Sequence, residues 1–240
     1  MRIGKERKRE LEKAFEAPKP MNKKAFLAQL PKAQIGYREF MFYQIAYMPK
    51  RVWLISASIF GISLYGAWFM QRSMIWAISA MMPFAALTVT TENARSAAYG
   101  MEELEMAARF SLRSIVLARL GVLGIFHLLL LILLVCVGNR DNAYTLLQSG
   151  IYLTVPYLAT TFFGLAVSRK VHGKEAIYIC MGIAVTVSGF YGIAGRTIEI
   201  AYQSAYFGWW LAAFFAFALG LASEYHKIIR QTEELAWNLQ

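Results

Sequence analysis

LGVLGIFHLLLLILLVCV, residues 120–137, contains no Asp, Glu, Lys or Arg. A helix rises about 1.5 Å per residue and the hydrocarbon core of a bilayer is roughly 30 Å thick, so a run of this length can cross a membrane. Lipid offers no partner to a backbone amide, which makes a helix, bonded within its own segment, the structure to expect. Working outward, five more runs of similar length lack those charged residues: 52–70, 73–91, 147–167, 176–194 and 206–223. The whole chain is 58% hydrophobic and 17% charged, a composition that excludes an ordinary soluble domain. The short alternating segments of an outer-membrane barrel are missing. The sequence therefore predicts an all-α membrane protein with six transmembrane helices, divided into a basic segment and interfacial elbow (1–51), a six-helix domain (52–223) and a tail (224–240).

The basic residues orient this bundle, because loops on the cytoplasmic side keep their Lys and Arg during insertion. Residues 1–51 hold thirteen, the second-to-third connection holds Arg95, Arg109, Arg113 and Arg119, the fourth-to-fifth holds Arg169, Lys170 and Lys174, and the tail holds Lys227 and Arg230. The other three connections hold one each, Arg72, Arg140 and Arg196. Twenty-two against three predicts that both termini lie in the cytoplasm. Gln71 and Arg72 alone join the first two runs, as in a helical hairpin. The N-terminal stretch reads as a solvated helix touching anionic headgroups, with a nucleic-acid arm as the alternative. Residues 32–51 are rich in Phe, Tyr and Met without one clean apolar face, and suit an interfacial helix leading into the first span.

The connection over residues 92–119 carries four carboxylates and four arginines before the chain returns to apolar sequence. On a helical wheel Met101, Leu104, Ala108, Leu112 and Ile115 gather on one side, and Glu102, Glu105, Arg109 and Arg113 on the other. Its acids come first and its arginines later, which suits the helix dipole, and Glu105 and Arg109 form an i,i+4 pair. Such a helix can lie along the ends of the spans and offer its charged stripe to a cytosolic partner, or it can be a solvated loop helix. Between the fifth and sixth runs, Gly189, Gly192 and Gly195 recur every third residue and permit close helix contact or a break. Arg196 and Glu199 are three apart and can pair, while Tyr202, Tyr206, Trp209 and Trp210 fit an interfacial belt.

Several chemistries leave no trace. The spans lack the carboxylates and lysines of a proton relay, and His127 at depth reads as a hydrogen-bonded packing residue before a proton carrier. Pro156 is expected to kink the fourth span. Cys136 and Cys180 lie inside spans and offer neither a disulfide framework nor a metal spacing. Zinc, serine-hydrolase and P-loop motifs are absent, so no enzyme activity is expected of this chain and an energy source would have to come from another. Thr160, Thr161 and Gln148 stand out as polar points in an apolar interior, where they can meet an amphipathic cargo or bridge helices.

Glu92, Gly100, Glu102-Glu103, Leu104 and Arg119, placed between spans two and three of six, are similar to a loose family pattern of a glutamate, a glycine, Glu-x-Leu and a basic residue entering the membrane. The chain resembles the permease subunit of an ABC-2 type (type V) ABC transporter. The family's Gly-Thr is Gly100-Met101 here, and its mid-segment proline has no counterpart near Phe110-Ser111. The resemblance implies a coupling helix formed by Glu92, Gly100, Glu102, Glu103, Leu104, Glu105, Arg109 and Arg113, docked on a separate ABC ATP-binding subunit that carries ATP and Mg. It further implies a second permease subunit, a bacterial plasma membrane, no cofactor on this chain and no nucleic acid. Two re-entrant helices within residues 189–210 would line an exit, with Gly192, Gly195, Arg196, Glu199 and Tyr202 as gate residues. The alternative is a membrane anchor or sensor that recruits a cytosolic regulator through its basic N-terminal segment.

Overall fold

The computed structural model describes residues 37–69, 75–99, 112–138, 145–171, 173–197, 202 and 204–237. The chain divides into two units, Met1–Glu39 and Phe40–Gln240. The first contributes just the opening residues of helix α1 to the described part, and the helical bundle belongs to the second. Among the described residues every regular element is helical: α1 (Tyr37–Tyr47), α2 (Lys50–Phe69), α3 (Ile75–Ala98), α4 (Leu112–Gly138), α5 (Leu146–Lys170), α6 (Glu175–Thr197) and α7 (Phe207–Trp237), the last entered through a 3-10 turn at Ser204–Tyr206. Helices α2 to α7 are the six that are long and apolar enough to cross a membrane.

Each apolar run thus becomes a helix, but several helices outgrow their runs. α3 continues past Thr91 through Ala98, and α4 begins at Leu112, well before Leu120. α7 extends from Phe207 to Trp237, 31 residues or about 46 Å at 1.5 Å per residue, so the helix of the last span continues into residues 224–237. Once nucleated, a helix adds one hydrogen bond for each residue it fixes, and sequences such as Glu92-Asn93-Ala94-Arg95 contain nothing that stops it. Where a signal does exist it is used. At the start of α5, Thr145 Oγ1 accepts from the Gln148 amide (3.2 Å) and Gln148 Oε1 accepts from the Thr145 amide (3.1 Å), a capping box that satisfies two end donors.

α3 is the central helix, in contact with α2, α4, α5 and α6. Small residues let its neighbours approach, as expected where lipid removes any hydrophobic drive for helices to associate. A Cβ on Gly164 of α5 would stand 2.5 Å from Thr90 Cγ2, and one on Gly195 of α6 would collide with Trp76 Cβ. Serines complete the contact. Pro156 has no N–H to give the carbonyl four residues back, Tyr152 O, and Ser79 Oγ of α3 donates to that oxygen at 2.8 Å. From α6, Ser188 Oγ donates to Ala80 O at 2.6 Å, one turn before a second in-helix proline, Pro83. The turn that ends at Pro156, where a kink is expected, is thus one place where α3 and α5 are tied.

Two apolar clusters fix how the helices alternate. One joins Val52 at the start of α2, Val89 late in α3, Leu120 and Leu123 early in α4, Leu165 late in α5 and Ile228 late in α7. The other gathers Phe60, Met82, Leu131, Leu134, Leu153 and Tyr157 deeper in the bundle. The beginning of the first crossing helix and the late part of the last therefore lie at the same end, as an even number of crossings requires.

Candidate functional site

Chemistry-bearing side chains concentrate at that shared end. Glu92, buried in the late part of α3, lies 3.4 Å from Arg95 Nη1, while Arg119 Nη1 of α4 donates to the Glu92 carbonyl at 3.4 Å. Asn93 Nδ2 donates to Ser168 Oγ of α5 at 3.2 Å. One position further, Arg169 Nε meets Glu224 Oε2 of α7 at 2.9 Å, and Lys227 Nζ meets the other oxygen, Oε1, at 2.7 Å. Glu224 has a side chain just 5% exposed and both its oxygens are engaged by cations. A buried carboxylate is tolerable on that condition, since its desolvation must be offset by paired, hydrogen-bonded charge.

The sequence explains why these groups meet. Glu92 and Arg95 are three apart on one helix face, and Glu224 and Lys227 repeat the pattern. Arg169 follows the apolar run of α5, where its stem can lie along the bundle and its head can reach the neighbouring helix. Arg119 bridges the two helices that flank the connection between spans two and three. That connection consequently leaves and re-enters the bundle at a joined base.

Of the residues expected to form a coupling helix, Glu92 belongs to α3, and Arg113 lies in the first turn of α4 with its side chain outside the described part. Gly100, Glu102, Glu103, Leu104, Glu105 and Arg109 lie outside the described residues. Ile115, which the helical wheel groups with the apolar stripe of the connection, is a buried residue of α4. Of the helix expected over 101–115, residues 112–115 belong to α4, and residues 101–111 lie outside the described residues. The triad of Arg169, Glu224 and Lys227 joins residues that the charge count scatters among separate connections. A glutamate just past an apolar run with a lysine three residues later is the signal that could have pointed to it.

At the opposite end the side chains are aromatic. Tyr202 is buried, with its ring 5.3 Å from Tyr152 and 5.1 Å from Trp210; Tyr152 and Trp210 are 5.0 Å apart and Tyr191 closes on Trp210 at 5.7 Å. Such edge-on and tilted contacts are the favoured geometry for neighbouring rings. α6 runs unbroken through Gly189, Gly192 and Gly195 to Thr197, so the first part of the stretch expected to re-enter the membrane is the end of a crossing helix. Gly195 faces Trp76 and Gly192 faces Ala80, both on α3. Of the other gate residues, Tyr202 joins the aromatic cluster, the Arg196 side chain and Glu199 lie outside the described residues, and Phe207 to Trp210 open α7. The three polar points in the interior have local uses: Thr160 and Thr161 donate to Pro156 O (2.9 Å) and Tyr157 O (2.8 Å), and Gln148 caps α5.

Among the described residues no three His, Cys, Asp or Glu side chains converge as metal ligands. Comparison with family models, with curated proteins and with solved structures returned no match to the chain.

Proposed function

We propose that the chain is the membrane subunit of an ABC-2 type exporter, which pairs with a second permease subunit and couples to a separate ATP-binding subunit through the connection between α3 and α4. The charged end then faces the cytoplasm, in agreement with the excess of Lys and Arg there. The observation that carries the reading is the joined base of that connection. Arg119 on α4 reaches the Glu92 carbonyl on α3, so force applied between them would reach both helices together, and α3 contacts four other spans. A solvated loop gains nothing from such anchoring, whereas a lever must be anchored. ATP hydrolysis belongs to the partner, since the sequence offers no P-loop.

The test is affinity purification of the full chain from its native membrane, as the parent and as the Glu102→Lys, Glu105→Lys double variant. The proposal expects a P-loop ATPase to accompany the parent chain, and charge reversal to remove most of it together with its stimulated ATP hydrolysis. Equal recovery from both contradicts the docking claim. Recovery of a cytosolic regulator without an ATPase supports the anchor reading.

A further inference from the structure

His127, fully buried on α4, touches three other helices through one chain of hydrogen bonds. Its Nδ1 lies 3.1 Å from Tyr157 Oη of α5 and its Nε2 lies 2.9 Å from Ser56 Oγ of α2. Ser56 Oγ lies 3.2 Å from Thr88 Oγ1 of α3, and Thr88 Oγ1 lies 2.8 Å from the Ala85 carbonyl. Each contact between side chains leaves donor and acceptor open, because hydroxyls and imidazole nitrogens can play either part.

Counting hydrogens closes the question. The Ala85 carbonyl has none to give, so Thr88 donates to it. A hydroxyl has one hydrogen, so Thr88 accepts from Ser56. With its hydrogen committed to Thr88, Ser56 accepts from His127 Nε2–H. A neutral imidazole carries one N–H, so Nδ1 is a lone pair and accepts from Tyr157 O–H. The opposite polarity would turn the Thr88 hydrogen away from Ala85 and turn the Tyr157 hydrogen away from the ring.

We infer that His127 is held as the neutral Nε2–H tautomer, the hub of a directional chain from Tyr157 through His127, Ser56 and Thr88 to the Ala85 carbonyl, which locks α2, α3, α4 and α5 in one register. The partners on each side fix the tautomer of a histidine in this way. The rings packed around it, Phe60 and Phe126, bring no charge. Sliding α2 by one turn, about 5.4 Å, would take Ser56 from both its partners at once. His127 is thus a positioning residue: it makes four spans one unit, in whatever cycle the protein performs.

The test is the ¹⁵N spectrum of histidine-labelled full chain in lipid bilayers, with His172→Gln and His226→Gln so that His127 alone reports. The inference expects a protonated Nε2 and an unprotonated Nδ1. Tyr157→Phe should leave that tautomer in place, because the Nε2–H bond to Ser56 is untouched. Ser56→Ala should convert most of the ring to Nδ1–H, with Tyr157 Oη as the new acceptor. An Nδ1–H or doubly protonated ring in the otherwise unmodified chain, an even mixture, or no conversion in Ser56→Ala overturns the inference. Should Ser56→Ala fail to fold, the spectrum of the chain carrying Ser56 decides alone.

Discussion

The two ends of the bundle are held by different forces. At one, Glu92, Arg95, Arg119, Arg169, Glu224 and Lys227 meet through charged and directional contacts at helix extremities that outrun the apolar sequence. At the other, Tyr152, Tyr191, Tyr202 and Trp210 pack ring against ring, and α6 closes on α3 through Gly195. Charge pairing needs few atoms in a set geometry and resists loss of one partner badly, whereas aromatic and glycine packing spreads its energy over many contacts and resists added volume badly. The charged end is therefore the place to test for coupling to another protein.

Removing one partner should hurt most where charge is buried. Glu224→Gln leaves Arg169 facing an uncharged group in a site largely shut from solvent, and should lower stability by about 2–3 kcal/mol, below the roughly 3–5 kcal/mol of a wholly buried pair because Arg169 keeps some exposure. Its thermal midpoint in detergent, read against the parent, checks this; a midpoint equal to that of Lys227→Ala would remove the contrast between a buried and an exposed partner. Next comes added volume at the aromatic half. Gly195→Ala forces a methyl into Trp76 and should cost about 1–3 kcal/mol, the range for overpacking. Gly189→Ala, with nothing within 4 Å, should be close to neutral in the same assay.

A smaller effect separates the serine tie from ordinary packing. Ser79→Ala strips the Tyr152 carbonyl of its donor and should cost about 0.6 kcal/mol, the mean for hydrogen bonds between membrane helices. Pro156→Ala restores a backbone N–H to the same oxygen, so in that background Ser79→Ala should cost measurably less; additive losses in the double-mutant cycle would show that the proline plays no part. Smallest of all is Lys227→Ala, which removes a half-exposed partner and should change stability by about 0–1 kcal/mol.

How much of this the sequence discloses depends on how far each signal reaches along the chain. Apolar runs of membrane length are local and long, so all six crossings were legible, with the alternation that returns α7 to the end where α2 begins. Their ends were not, because Glu92 and Arg95 are compatible both with a connection and with the last turns of a helix that nothing interrupts. Pairings across helices were the least visible. Nothing near Arg169 announces Glu224, 55 residues away, and Ser79 looks like any serine until Pro156 leaves the Tyr152 carbonyl open. His127 was legible as a bonded packing residue from its solitude among leucines, but its partners Ser56 and Tyr157 lie on other helices. Of the three glycines of α6, read as permitting close contact or a break, Gly192 and Gly195 meet α3, a Cβ on Gly189 would have nothing within 4 Å, and the helix runs on without a break to Thr197.

Coupling to an ATPase requires the connection between α3 and α4 to face the cytoplasm, where such a partner could reach it. Glu103→Cys, in a chain whose Cys136 and Cys180 are replaced by Ala, can be challenged with a membrane-impermeant maleimide in intact cells and in inverted vesicles. The predicted result is labelling in the inverted vesicles alone. Labelling of intact cells would put the charged end outside and contradict the proposed coupling.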